Sequence, residues 1–351
     1  MGDRFELSTP RLTLRMLRRS DIAEFTRYRN LDIVARYQDW PLPYTRDLAH
    51  ELMDEMEDMD GPTAGGWAQV GITHDGVLVG DIAVWLDDTS ELAMLGYTVA
   101  PEHQGRSYAV EAANAVLAYL FETIGVHRVA ATIDPRNLAS ARVLERCGFE
   151  YVGTARSSAW SRGAWSDDAR FSLLAPDWRT WVARPTGAPA TVDFVAVDAA
   201  NVDAVCAIAV GHSQRRFVRS PAESIADAAH PPSVAGVPLS PWYRAIRADG
   251  DLAGFVLISA TSSDGPTPHL WQLLVDQRHQ RRGIARRAVG VLARLLLAEG
   301  NTQLTAAFVD EQGGPEAFYR ALGFRRTDHV DAVSGQVMAI ASLHSLADIG
   351  R

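Results

Sequence analysis

Two periods of apolar and polar positions alternate along this 351-residue chain. Residues 11–15, Arg-Leu-Thr-Leu-Arg, alternate strictly and predict a half-buried strand. Residues 20–24 read as a helix start, with Ser20 as cap and Glu24 in the first turn. Runs 66–73 and 77–86 are strand-like and are joined by His74-Asp75-Gly76, whose Asp-Gly pair suits a tight hairpin. A further strand over 92–99 leads through a turn at 104–109 into helical spacing over 110–123. Strand 127–133 precedes a helix over 139–146, which Gly148-Phe149 ends; glycine there suits a left-handed cap.

The same order then repeats. Residues 270–275 read as a strand, 280–285 as a turn, and Ala288, Val289, Val291, Leu292, Leu295 and Leu296 recur at helical spacing over 286–299. Trp67 pairs with Trp242, Gly80 with Gly254, Val99 with Val275, Gln104 with Gln280, and Gly148-Phe149 with Gly323-Phe324, at offsets of 174 to 176. So steady an offset is too long for a solenoid and means two copies of one domain. The Pro- and Gly-bearing stretch 184–190 reads as a linker between domains 1–183 and 191–351.

Chemistry concentrates at Gln280-Arg281-Arg282-Gly283-Ile284-Ala285. A strand, a basic turn and a helix start make an anion site, because the first backbone N–H groups of a helix lack partners and its dipole favours negative charge. Gly283 permits close backbone approach to a ligand, and small Ala285 leaves the helix start unobstructed. This Gln-x-x-Gly-x-Ala pattern, one strand and one helix ahead of Phe318-Tyr319-Arg320-Ala321-Leu322-Gly323-Phe324, resembles the pyrophosphate loop of the GNAT acetyltransferase superfamily. The resemblance implies an α/β protein of two tandem acyl-CoA N-acyltransferase domains, each a central mixed β-sheet flanked by helices. It also implies acetyl-CoA as co-substrate, held in the second copy by Leu274, Val275, Gln280, Arg281, Arg282, Gly283, Ile284 and Ala285. For the side chains of Arg281 and Arg282, phosphate contact is weighed against a solvated helix end.

The first copy resembles the ribosomal-protein alanine N-acetyltransferases. The resemblance rests on Thr9-Pro10-Arg11-Leu12, Gly96-Tyr97, Ala100 to Arg106, Asn137 to Ser140 and Gly163 to Asp167. It implies cofactor contacts from Val99, Gln104, Gly105, Arg106, Ser107, Ala109 and Asn137, and it implies Ser140 as the proton donor to the leaving thiolate. Ser140 reads equally well as a helix N-cap. Ser107 stands where the family has glycine, and its Cβ is expected to restrict the backbone and crowd a pyrophosphate. Met94 and Leu95 occupy positions where the family often has a carboxylate, with Glu91 the nearest acid. The first domain is therefore expected to be slow or retired.

The second copy resembles spermine/spermidine acetyltransferases through Phe217 to Ala226, Trp242 to Ile246, Gly254 to Val256, Leu270 to Gln272, the full loop, and Gly313 to Tyr319. Acetyl transfer from a thioester to an amine needs a neutral amine, a donor to the tetrahedral oxyanion and an acid for the thiolate. A backbone N–H near Leu274 is the expected donor, provided its strand bulges from the next. Tyr319 takes the family's acid position, weighed against a core aromatic; Leu144 is its counterpart in the first copy. Trp271 stands where the polyamine enzymes carry glutamate, which leaves Gln272, Asp276, His269, or Glu223 through a water, as candidate bases.

Composition narrows this picture. Hydrophobic residues at 47% and charged residues at 22% are those of a globular chain. No run approaches a membrane span and the N-terminus lacks a signal pattern, so a cytoplasmic location is expected. Cys147 and Cys206 have no metal-ligand spacing. The net charge of −9 lies wholly in residues 1–183, a field that repels nucleic acid and attracts cationic amines. The partner expected is a small-molecule or peptide amine, with no nucleic acid and no membrane, and with room for an oligomer. A polyamine is the first substrate class. A protein N-terminus or an aminoglycoside, and a non-catalytic coenzyme-A-sensing scaffold, are the rivals.

Overall fold

The computed structural model describes residues 5–231, 233–234, 237–259, 267–330 and 334–349. Backbone contacts divide the chain into two compact units, Met1–Ala183 and Arg184–Arg351.

The first unit runs β1 (Glu6–Ser8), β2 (Thr13–Met16), α1 (Ile22–Arg29), α2 (Asp32–Ala35), α3 (Arg46–Glu57), β3 (Trp67–His74), β4 (Val77–Leu86), β5 (Leu92–Val99), α4 (Tyr108–Ala118), β6 (Arg128–Ile133), α5 (Leu138–Arg146), β7 (Glu150–Ser161), β8 (Ala164–Leu174) and α6 (Ala175–Ala183). Its eight strands form one mixed sheet in the order β1-β2-β3-β4-β5-β6-β8-β7. The larger apolar cluster joins the sheet to α4 and α5 through residues such as Val70, Ile82, Val116 and Leu144. A second cluster, with Phe25, Tyr28, Tyr44 and Met53, joins it to α1 and α3. The TPRL motif has a structural task here: Thr9 Oγ1 and the Arg11 guanidinium donate to Glu111 in the first turn of α4, at 2.7 and 2.5 Å, tying the N-terminal strands to that helix. Ser20 does not cap α1. The chain enters that helix through a 3-10 turn, Arg19–Asp21, and Asp21 Oδ2 accepts from the Arg18 N–H and from Arg15.

The second unit runs β9 (Val192–Val195), α7 (Val202–Cys206), α8 (Pro221–Ala228), β10 (Ser233–Val234), β11 (Val237–Pro238), β12 (Pro241–Ala248), β13 (Asp251–Ser259), β14 (His269–Val275), α9 (Ile284–Ala298), β15 (Gln303–Phe308), α10 (Glu316–Ala321), β16 (Arg325–Val330), β17 (Val337–Ser342) and α11 (Leu343–Ala347). Its main sheet is ordered β16-β17-β15-β14-β13-β12-β9, with β10 and β11 paired apart. The hairpin turn at Asp75-Gly76 has a twin at Asp249-Gly250, and all four residues take positive φ, as a primed turn requires. The paired landmarks Gly80 and Gly254 have one cause. A Cβ would lie 2.3 Å from the Thr98 carbonyl oxygen at Gly80, and 2.4 Å from that of Leu274 at Gly254, so the neighbouring strands approach too closely for any side chain.

Candidate functional site

Each main sheet contains one parallel pair, and each pair comes apart. β5 and β6 are in register only at Leu92↔Arg128, Ala93↔Val129 and Met94↔Ala130. β14 and β15 are in register only at His269↔Thr305 and Leu270↔Ala306. Beyond those points residues 95–99 and 272–275 keep their antiparallel neighbours on one side and, among the described residues, have no ladder partner on the other. The result is a wedge whose backbone edge can accept an extended ligand as an added strand. The second wedge has an extra device. Leu257 pairs with Gln272 and Ile258 with Leu270, so Trp271 is a bulged residue. The first strand runs from Leu86↔Ala93 to Gly80↔Val99 without a shift.

At the end of each wedge strand lies a loop of one conformation. The side-chain amide of Gln104 donates back to the Val99 carbonyl at 2.9 Å, and that of Gln280 to the Val275 carbonyl at 3.0 Å, clipping loop to strand in both copies. Two left-handed residues follow. They are Gly105 (φ 75) and Ser107 (φ 64) in the first copy, and Arg281 (φ 65) and Gly283 (φ 79) in the second. Each loop thus has one glycine and one side-chain-bearing residue at these positions, in opposite order. This corrects the expectation that the Ser107 Cβ restricts the loop backbone; the expected crowding of a pyrophosphate is a separate matter of ligand space. Ser107 takes the same region as Gly283, and its Oγ accepts from Arg146 Nη1 and Nη2, both at 3.2 Å. Helices α4 and α9 then start at Tyr108 and Ile284, with Ala109 and Ala285 as their second residues.

The GNAT acetyltransferase domain model (Acetyltransf_3) matches residues 11–150, and the GNAT family model (Acetyltransf_1) matches residues 193–324. The chain is a tandem GNAT protein. It is similar to "Probable N-acetyltransferase YjcK" of Bacillus subtilis, 34% identical over 105 residues, which is 29% of this chain and 58% of that protein. It is also similar to the "[Ribosomal protein uS5]-alanine N-acetyltransferase" of Escherichia coli, 36% identical over 84 residues, 24% of this chain and 43% of that protein. The chain thus spans about half the length of these curated relatives. Among solved structures, a spermidine N-acetyltransferase from Vibrio cholerae in complex with CoA and spermine aligns over 49% of this chain and 99% of its own, at 23% identity and a TM-score of 0.43.

In the second GNAT domain Tyr319 is buried on α10. Its ring stacks on Phe308 at 5.5 Å, with Phe318 and Phe324 edge-on at 5.5 and 5.3 Å. Phe308 lies two residues past the last β14/β15 pair, so the tyrosine stands against the splayed end of β15. Burial pushes its phenol up to about 12, and the hydroxyl makes no hydrogen bond among the described residues. Tyr319 is therefore a core aromatic whose hydroxyl is unengaged among the described residues.

None of the four candidate bases is placed as one. Asp276 caps the short turn Gln277–His279, accepting from the Arg278 N–H and guanidinium at 2.9 Å each and from the Ala209 N–H at 3.2 Å. Glu223 closes a capping box on α8, and the Ser220 N–H holds its carboxyl below the usual range. The Gln272 amide donates to the Arg219 carbonyl. His269 lies five residues before Leu274, roughly 16 Å along an extended strand; its Nδ1 is 2.9 Å from Thr305 Oγ1, and burial pushes it down to about 4.

Arg281 is exposed and makes no bond among the described residues. Arg282 is a correction: its guanidinium is turned inward and buried. Nε donates to the Gly187 carbonyl at 2.8 Å, Nη1 to His279 Nδ1 at 3.0 Å, and Nη2 reaches Asp249 at 3.4 Å. Burial holds His279 below its ordinary value, and because a guanidinium can only donate, Nδ1 of the neutral ring is the acceptor. A phosphate contact would require breaking these bonds, so only the Arg282 backbone is free to serve the loop. Arg287 donates to the Pro189 carbonyl, so residues 187–190, read from composition as a linker, are strapped to the loop and to α9.

In the first GNAT domain Asn137, not Ser140, caps α5: its Oδ1 accepts from the Ser140 N–H at 3.1 Å. Ser140 sits in the first turn, and its Oγ is 2.8 Å from the Tyr97 hydroxyl, which also donates to the Ser140 carbonyl at 2.8 Å. Arg106 is exposed. Sequence reading passed over Tyr97 as chemistry, although its place two residues before Val99 put it on the wedge strand.

Proposed function

We propose that this protein is an acetyl-CoA-dependent N-acetyltransferase whose second GNAT domain acetylates a primary amine by direct transfer. The observation that carries the reading is Tyr319, a buried, protonated phenol without a hydrogen-bond partner among the described residues, at the splayed end of a wedge that ends in an anion loop. The pantetheine arm adds to the free edge of residues 271–275, and the pyrophosphate rests on the N–H groups at Gly283, Ile284 and Ala285. The bulge at Trp271 turns a backbone N–H near Leu274 toward the thioester oxygen. As the C–S bond breaks, Tyr319 protonates the sulfur.

A small cationic amine of polyamine type is the substrate class this reading favours. Resemblance supports it, as does the net negative charge, which attracts cationic amines. Because the four candidate bases are engaged or remote, the amine is taken up neutral or loses its proton to water. The test is free-thiol release from acetyl-CoA with polyamines, N-terminal peptides and aminoglycosides, comparing wild type with Tyr319→Phe and Gly283→Trp. Release that both substitutions leave untouched would sink the assignment. Coenzyme A binding without turnover on any amine would establish the sensing role instead.

A further inference from the structure

We propose that the first GNAT domain carries its own acyl-transfer site, in which Tyr97 is the positioning residue for Ser140. The inference rests on the acetyl-CoA reading above but concerns the other domain. It comes from a reciprocal exchange between the copies. Strand register makes Tyr97 the counterpart of Leu273, since each lies opposite the residue two places beyond the close-approach glycine, Ile82 or Val256. On the following helix, Leu144 of the first copy answers to Tyr319 of the second. One copy thus has a phenol on the wedge strand and leucine on the helix, and the other has leucine on the strand and a phenol on the helix. Tyr97 packs on the cluster that holds Leu144, and Leu273 on the cluster that holds Tyr319.

The hydrogen bonds define what the phenol does. Asn137 pins the Ser140 backbone through the cap, and Tyr97 touches both the hydroxyl and the carbonyl of Ser140 at 2.8 Å. The carbonyl can only accept, so at rest the phenol donates to it and the serine hydroxyl donates to the phenol oxygen. When a thiolate forms in the wedge, the two protons rotate: the serine proton turns to sulfur and the phenol proton turns to Oγ. The C–S bond of the tetrahedral adduct breaks with its electron pair moving to sulfur. The Ser140 O–H bond breaks as S–H forms, and the proton shed by the acylated nitrogen returns to Oγ. Tyr97 keeps its own proton throughout, as burial of the ring favours. Its role is to hold the serine rotamer and to stabilise the oxygen while it is bare.

The test uses the full chain carrying Tyr319→Phe, which silences the second site, with thiol release measured across the amine panel. Residual turnover is expected. Adding Tyr97→Phe, which keeps the ring, should lower kcat about tenfold, the loss of one hydrogen bond to a charged group, with the KM for acetyl-CoA within about twofold. Adding Ser140→Ala should lower kcat at least as much, and the pair together no more than Ser140→Ala alone, because the phenol acts only through the serine. No residual turnover in an otherwise active protein, an unchanged kcat in the Tyr97→Phe variant, or additive losses would each overturn the proposal. A wild type that releases no thiol would fail the activity reading and this one with it. An active wild type that Tyr319→Phe leaves at full rate would fail only the second-domain assignment; the Tyr97 and Ser140 variants would then still decide this one.

Discussion

Replacing Gly283 by alanine separates the backbone demand of the anion loop from the space the loop keeps for its ligand. Gly283 has φ 79 and ψ 6, and a Cβ built there meets no protein atom within 4 Å. Its folding cost is therefore conformational alone. A left-handed L-residue costs about 1–2 kcal/mol, and removing glycine's extra unfolded freedom returns about 0.5–1 kcal/mol. The net, about 1 kcal/mol, moves Tm by roughly 2–4 °C in a domain of this size. Ser107 and Arg281, already left-handed, show that the fold tolerates such residues. Binding should suffer more. The methyl group would enter the open space before the first N–H groups of α9, and a displaced phosphate loses one or two charge-assisted hydrogen bonds of about 1.5–3 kcal/mol each. At about 1.4 kcal/mol per decade that is at least about tenfold in affinity. Calorimetric titration of the full chain with coenzyme A, fitted for two sites, should show one site weakened by that amount and the other unchanged. Unaltered affinity at both sites, or a Tm fall beyond about twice the upper end of that range, would refute the reasoning.

Ser107→Gly should leave stability within about 1 kcal/mol, because relief of positive φ is offset by glycine's entropy and the lost Arg146 bonds, while coenzyme A affinity at the first site rises; calorimetry reads both. The Tyr319 phenol sits at about 12 against an ordinary value of 10.0, so kcat should show no falling limb below pH 10, and its contribution to stability, complete below pH 10, should fade between pH 10 and 12. His269 sits at about 4 against 6.5; its neutral form is favoured on folding, so the second domain should lose on the order of 2–3 kcal/mol as pH falls from 6.5 through 4. Urea unfolding of His269→Asn should flatten that slope. Arg282→Ala strips donors from Gly187 and His279, and hydrogen exchange at the amides of Ala188, Ala190 and Thr191 should quicken by about tenfold or more.

Much of this architecture was legible because it is written in short-range patterns. Strand alternation, the Asp-Gly turn and the spacing from Gln280 to Gly323 are local, and duplication displayed each twice. What escaped was decided by neighbours distant in sequence. Nothing around Arg282 announces that Gly187 and Asp249 will claim its guanidinium, since a basic residue in an anion loop reads as a ligand contact whichever way it points. Ser107 looked like damage because glycine is the usual left-handed residue, yet that position demands a φ and not an empty Cβ. The roles of Asp276 and Glu223 as caps, and of Ser140 as a capped rather than capping residue, depend on single hydrogen bonds. Tyr97 reads in sequence as one letter of a motif with no task of its own, because its partner lies 43 residues away.

The strap at residues 187–190 has a bearing on how this protein survives cutting. Its composition is that of a stretch a protease or an expression design would choose to sever, yet Gly187 and Pro189 are fastened to the anion loop and to α9. A nick there would do more than cut one chain into a pair of domains. It would loosen one of the three acceptors of the buried Arg282 guanidinium, the Gly187 carbonyl, while His279 and Asp249 still hold the other two nitrogens. A second domain cut out for study should therefore keep residues 187–190, which are part of its loop and not a spacer.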